Sequence, residues 1–329
     1  MKRRVLLAGS GLLAAPALLR ATRAQAQAGW PARPVTIVVP FATGGPSDII
    51  ARLTAAQMQQ TLGRPFVVEN RPGATGEVGA RQVIRSTPDG HTLMHAPIST
   101  WAINVALKPT TLGYNPVTEL TRITQTVRTP NVLVVNAQAI PATDPAGLVE
   151  WLKRNGRNAS YSSSGSGSSD HLTAEMFKQA TGTEMTHIPY SGGGPAMTSV
   201  ISGTTQLSFQ NLGAVIGHIQ SGRLKAIMTT AETRPPVLRD VPTALEAGLR
   251  DFVVYSWQAY GGPPGMPAEL LRQVHEAIVT ALRSPAVAPR LVEAGFDVVG
   301  NSPEEFATFQ AAEIARWRRV VQAGGITAD

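Results

Sequence analysis

The chain has 329 residues, 43% hydrophobic and 16% charged, with no Cys and a formal net charge of +7. This composition excludes a disordered, collagen-like or disulfide-stapled chain, and the length suits two ordinary domains better than one. The charge does not point to nucleic acid: five basic residues and no acid fall in the first 28 positions, leaving 24 basic against 22 acidic residues in the remainder.

Those first 28 residues read as an export signal. Lys2, Arg3 and Arg4 form a basic start, Val5 to Leu19 is largely apolar, and a small-x-small cleavage site ends at Ala26 or Ala28. The apolar run is shorter than the ~20 residues of a membrane span and is interrupted by Pro16 and Arg20. A periplasmic protein cleaved near Ala26 or Ala28 is expected, and Arg3-Arg4 also permits twin-arginine export.

Beyond the signal, short apolar runs alternate with helical patterns. Val35 to Val39 reads as a buried strand and Asp48 to Leu62 as an amphipathic helix stopped by Gly63. Phe66 to Glu69 is a second strand, Gly76 to Ser86 a helix, and His91 to His95 a third strand. A second series follows. Its strands are Val132 to Val135, Ala159 to Ser162, Met185 to Ile188, Gln206 to Gln210 and Lys225 to Thr229. Its helices are Asp144 to Arg154, Asp170 to Ala180 and Pro195 to Ile201. Val253 to Tyr260 is again strand-like. Ser302-Pro303-Glu304-Glu305 then starts a C-terminal helix whose apolar face, Phe306, Phe309, Trp317 and Val320, needs the first domain to pack on. Alternating strands and helices make an α/β fold with two units, and ligands of such sheets bind beyond the carboxyl ends of the strands.

Three glycine-rich turns lie where strands lead into helices. Pro40 to Asp48 reads either as a plain turn capped by Ser47 or Asp48, or as a carboxylate site in which Thr43 to Ser47 face the ligand while Asp48 caps. Tyr161 to His171 has the composition of a linker but the position of a βα loop, where hydroxyls and amides satisfy an anion without a cation. Pro189 to Pro195 carries Tyr190, able to stack or hydrogen-bond.

The enzyme signatures fail. No Gly-Lys pair exists for a P-loop, and Gly165-Ser166-Gly167-Ser168 lacks the spacing of a nucleophile elbow. His91 and His95, on a strand, stand roughly 13 Å apart at ~3.3 Å per residue, so no metal site and no cofactor are expected.

Several segments resemble the Bug-type substrate-binding proteins of tripartite tricarboxylate transporters. They are Trp30 to Val35, Val39-Pro40-Phe41 with Gly44-Gly45 and Asp48, Val68 to Ala74, Pro88-Asp89-Gly90, Ser163 to Leu172, His187 to Tyr190, Val241-Pro242-Thr243 with Glu246-Ala247-Gly248, and Phe306 to Ile326. The resemblance implies a two-lobed, type II-like Venus-flytrap fold of the periplasmic binding proteins, with the ligand cleft between lobes. Its lobes are 29–128 with 255–329, and 129–254. It also implies a small carboxylate ligand, either a di- or tricarboxylate or an aromatic acid, and a membrane permease as partner.

The site carried over comprises Phe41, Thr43, Gly44, Gly45, Ser47 and Asp48 in the first turn and Ser163, Ser164, Gly165 and Ser168 in the second. Ser99 and Thr100 complete it, with Tyr190 and Asn211 beside them. Two positions depart from the family. Ala42-Thr43 replaces a Pro-Pro or Ser-Pro pair, and Gln210 stands where an Asp often precedes Asn211, which disfavours a ligand amine if the position faces the cleft. The expected protein is a monomeric receptor and not an enzyme. A receptor feeding a membrane sensor kinase is the alternative, and a hydrolase using the Ser-rich loop a remote one.

Overall fold

β-Branched runs open both halves of a computed structural model that describes residues 29–327; the export-signal reading lies outside these residues. β1 (Val35–Val39) lies between β2 (Phe66–Asn70) and β3 (Thr92–Pro97), parallel to both. α1 (Pro46–Leu62) and α2 (Glu77–Ile84) connect them, and a helical turn at Ser99–Ile103 runs into α3 (Asn104–Leu107). β4 (Thr121–Val135) follows, then α4 (Pro145–Asn155), β5 (Ser160–Ser163), α5 (Ser169–Thr181) and β6 (Thr186–Pro189). Next come α6 (Gly193–Ile201), β7 (Leu207–Asn211), α7 (Leu212–Gln220), β8 (Lys225–Thr229) and β9 (Tyr255–Gly262). The chain ends with α8 (Ala268–Arg283), α9 (Ala288–Glu293), β10 (Asp297–Val298) and α10 (Pro303–Gly324).

One sheet runs through the molecule in the order β2-β1-β3-β9-β4-β7-β5-β6, with β8 and β10 also paired to β4. β4 belongs to both halves. Thr121 to Pro130 pair antiparallel with β9, and Asn131 to Val135 pair antiparallel with β7. Each half is a three-layer sandwich, because alternate strand residues face opposite sides. Val35, Ile37 and Val39 pack under α1, α8 and α9, while Val38 points to the layer holding Trp101, Trp257, Phe306 and Trp317. Leu133 and Val135 face Phe177, Phe209 and Phe252; Val132 and Val134 face Met197, Leu212 and Val215.

Five elements depart from the sequence reading. β4 starts eleven residues before Val132: its first part, Thr-Arg-Ile-Thr-Gln-Thr, lacks an apolar alternation yet is covered by strands on both sides. α7 is masked by Gly213 and Gly217. Gly213 is required by close approach, since a Cβ there would stand 2.3 Å from the Ala294 carbonyl oxygen of the other half. The helical turn at Ser99 and the pair α8 and α9 were not anticipated as elements either. The C-terminal helix starts as expected, with Ser302 and Glu305 forming a reciprocal capping box. It packs on the first half through Phe306, Ile314 and Trp317, and also meets Leu172 of α5.

Candidate functional site

A cavity of about 390 Å³ opens where the carboxyl ends of the strands of both halves converge. Its first wall is the turn from β1 into α1. Gly44 holds φ at +80°, a conformation costly for any L side chain, and Gly45 is the N-cap without a side-chain cap. Pro46 follows at the first helical position, so Ser47 and Asp48 carry the first amides of α1 left for an outside acceptor. Phe41, Thr43, Gly44, Gly45 and Ser47 all line the cavity.

Asp48 does not. Its carboxylate turns back to accept the Gly44 N–H at 3.0 Å and pairs with Arg52 at 2.9 Å. Arg52 donates to Asn70, and Asn70 donates to the Phe41 carbonyl, so the turn is braced from behind. Burial acts to raise the Asp48 pKa, but Arg52, the Gly44 amide and Asn70 outweigh it and hold the carboxyl below its ordinary value. The Ser47 hydroxyl donates to Gln258 Oε1 at 2.6 Å. The Ser47 carbonyl, which can only accept, takes the Nδ1 proton of His95 at 3.0 Å, and His95 Nε2 lies 3.0 Å from the Thr126 hydroxyl. Complete burial pushes the His95 pKa down to about 3, so the ring is neutral and structural.

Ser99 lines the cavity from its helical turn, whereas Thr100 is fully buried behind it, against Gly76 and Phe41. A residue and its successor on a helical turn point about 100° apart, which is why only one reaches the cavity.

The second wall is the Ser/Gly turn from β5 into α5. Ser168 is the N-cap, accepting the His171 N–H, and both Ser164 and Ser168 line the cavity. Ser163 and Gly165 do not. Ser163 is fully buried, its hydroxyl 2.6 Å from His187 Nε2, and Gly165 lies against the Tyr190 carbonyl. Asp170, which sequence reasoning missed, lines the cavity and accepts from Ser164 N at 2.6 Å, Ser164 Oγ at 2.8 Å and Gln210 Nε2 at 2.6 Å. Burial pushes its pKa up despite these donors.

The third wall is the start of α6. Gly192 is its N-cap with no side-chain cap, and Gly192, Gly193 and Gly194 line the cavity. Tyr190 does not: it faces a separate surface depression, its hydroxyl donating to Ser199 at 2.7 Å. Asn211 lines the cavity as the N-cap of α7, again without a side-chain cap, and donates to Asn131. Gln210 faces the cavity too, in place of the acid often found at that position, and lies 2.6 Å from Asp170.

Ser256 and Gln258 of β9 complete the lining. Their signal was present in the sequence as polar residues alternating with the core residues Trp257 and Ala259.

Three uncapped helix starts thus converge on one cavity, and each carries roughly half a positive charge from aligned peptide dipoles. Among the described residues no Lys, Arg or His lines it, and Asp170 is its one acid. Such a site receives an anion through backbone amides and hydroxyls. Among the described residues no cluster of three or more His, Asp or Glu is placed to share a metal ion, and no helix is long and apolar enough to cross a membrane.

A mixed α/β sheet divided into two halves, with an anion-receptive cleft at their junction, defines a periplasmic binding protein. The chain belongs to the TctC family, the tripartite tricarboxylate transporter family receptors, whose model matches residues 50–326. It is 33% identical to protein BugT of Bordetella pertussis over 297 residues, covering 90% of each chain. The structure of R. palustris Rpa4515 with adipate matches with a TM-score of 0.86 and 35% identity, covering 91% of this chain and 99% of that one. MatC from Rhodopseudomonas palustris with bound malate matches with a TM-score of 0.83 and 34% identity, covering 89% and 100%. The protein is therefore a Bug-type solute receptor.

Proposed function

We propose that the mature protein, freed of residues 1–28, is a periplasmic monomer that binds a small dicarboxylic acid and presents it to a transporter permease. The observation that carries this reading is the ring of uncapped helix starts around a cavity that no cationic side chain lines among the described residues. A carboxylate at the Gly45–Ser47 end and another at the Gly193–Gly194 end would each be held by amides and dipoles, one from each half. The adipate and malate in similar proteins are both diacids, which supports a ligand of this size.

The two lobes are 29–128 with 255–329, and 129–254. They turn about the strands where Thr230 N donates to the Asn131 carbonyl and Val254 N to the Thr230 carbonyl. Ligand held between the lobes favours the closed form, and that form is what the permease reads. The protein turns nothing over. Ser163 and His187 are within hydrogen-bond distance, but Ser163 is buried behind the wall, and the Ser168 hydroxyl donates to the Gly165 carbonyl at 2.6 Å.

The test is thermal unfolding of residues 29 onward with succinate, malate, adipate, citrate and an uncharged diol. A diacid at about 100 times its dissociation constant stabilises the fold by roughly 2.7 kcal/mol. A shift with the diol alone overturns the reading.

A further inference from the structure

The pairing of Asp170 with Gln210 sets a choice among diacids that the helix starts alone cannot make. Helix dipoles attract any carboxylate and do not distinguish succinate from malate or aspartate. Asp170 is the one ionisable side chain in the lining among the described residues. Its counterpart in the first wall, Asp48, also closes a turn by accepting a backbone amide, but it is neutralised by Arg52 and faces away from the cavity. Asp170 lines the cavity, and the three groups that donate to it, Ser164 N, Ser164 Oγ and Gln210 Nε2, are all neutral.

Those three hydrogen bonds all arrive at Oδ2, and the Ser168 side chain and the Asp170 N–H add to them, so a ligand in the cavity meets a carboxylate already held in one orientation. Gln210, held by its donation to Asp170, keeps its own Oε1 beside Gly193, 3.1 Å from where a Cβ on that glycine would stand. The second wall therefore presents acceptors next to the amide donors of α6.

We infer that Asp170, positioned by Gln210, is the specificity-determining residue of the cleft, selecting a diacid that carries a hydrogen-bond donor, hydroxyl or ammonium, next to a carboxylate. The inference rests on the carboxylate-receptor reading above. A donor substituent gains a charge-assisted hydrogen bond to Asp170. An unsubstituted diacid leaves Asp170 without that donor and brings a like charge near it, and a third carboxylate would be rejected more strongly.

The experiment is isothermal titration of residues 29 onward with succinate, L-malate, L-aspartate and adipate at pH 7. Three proteins are compared: wild type, Asp170→Asn, and the double variant Asp170→Asn with Gln210→Glu, which moves the charge across the 2.6 Å hydrogen bond. Wild type should bind malate or aspartate at least tenfold more tightly than succinate, the two arms separating hydroxyl from ammonium. Asp170→Asn should bring the ratio below threefold, and the double variant should restore it. If Asp170→Asn does not melt cooperatively, the double variant carries the test and must keep the wild-type order. An unchanged ratio in Asp170→Asn, a wild type without the preference, or a double variant that fails to restore it overturns the inference while leaving the receptor reading intact. Absence of binding by all four acids takes down the receptor reading itself, and this inference with it.

Discussion

The Asp48 carboxylate reaches back one turn and accepts the Gly44 N–H at 3.0 Å, so the loop that faces the cavity is fixed by a residue that does not. The charge of Asp48 is in turn held by Arg52, whose side chain is half exposed. Replacing Asp48 with Ala leaves the Gly44 amide and Arg52 short of a partner and should cost about 1–2 kcal/mol of stability. Diacid affinity should fall with it. Urea unfolding together with titration of the bound acid checks both.

Gly45→Val tests the helix-start site directly. The backbone there is extended, at φ −82° and ψ 170°, and a Cβ meets only the Ala42 carbonyl at 3.8 Å, so the fold should survive. The added side chain stands at the mouth of α1 and should abolish diacid binding. Gly44→Ala behaves differently: at φ +80° it should lose about 1 kcal/mol of stability. Melting curves with and without ligand separate the two outcomes.

His95 predicts an acid sensitivity. Its folded pKa, about 3, lies below its ordinary 6.5, so between these values the unfolded chain binds a proton that the folded one refuses. Stability is lost as pH falls below 6.5, by about 2 kcal/mol at pH 5. His95→Gln should flatten stability across that window, measured by urea unfolding at pH 5 and pH 7. A slope equal to that of wild type would show that His95 is not its source.

Asp170 works in the opposite sense. Its folded pKa is raised by burial, so the charged form destabilises the fold, and that cost grows as pH rises through the folded pKa. Asp170→Asn should therefore raise the melting temperature at pH 7, with the gain shrinking towards pH 3.8.

Much of the fold was legible because it rests on local periodicity. β1 to β3, the strands of the second half and the capping box of α10 follow from runs of Val and Ile, stop signals and Ser302-Pro303. What escaped depends on partners distant in sequence. Thr121 to Pro130 is a strand because β9, more than a hundred residues on, lies beside it, and α7 tolerates Gly213 because Ala294 presses on it. The cavity-facing turns were legible as glycine and serine at strand ends. Which residues of each turn meet the ligand side was legible only in part: Asp48 turns away, in line with its reading as a cap, but Thr100 turns away too, while Asp170 and Gln210 turn in.

The strand order also sets a timetable for the chain as it is made. Every strand that pairs only within the second half has been synthesised by Thr229, and Val254 then closes onto Thr230. The first half is different, because β9 fills the gap between β3 and β4 and α10 covers Trp101 and Trp257. Until those late segments emerge, the growing chain carries an open sheet edge and uncovered tryptophans, the surfaces on which chaperones hold and neighbours aggregate. The half that begins the polypeptide is the half completed last.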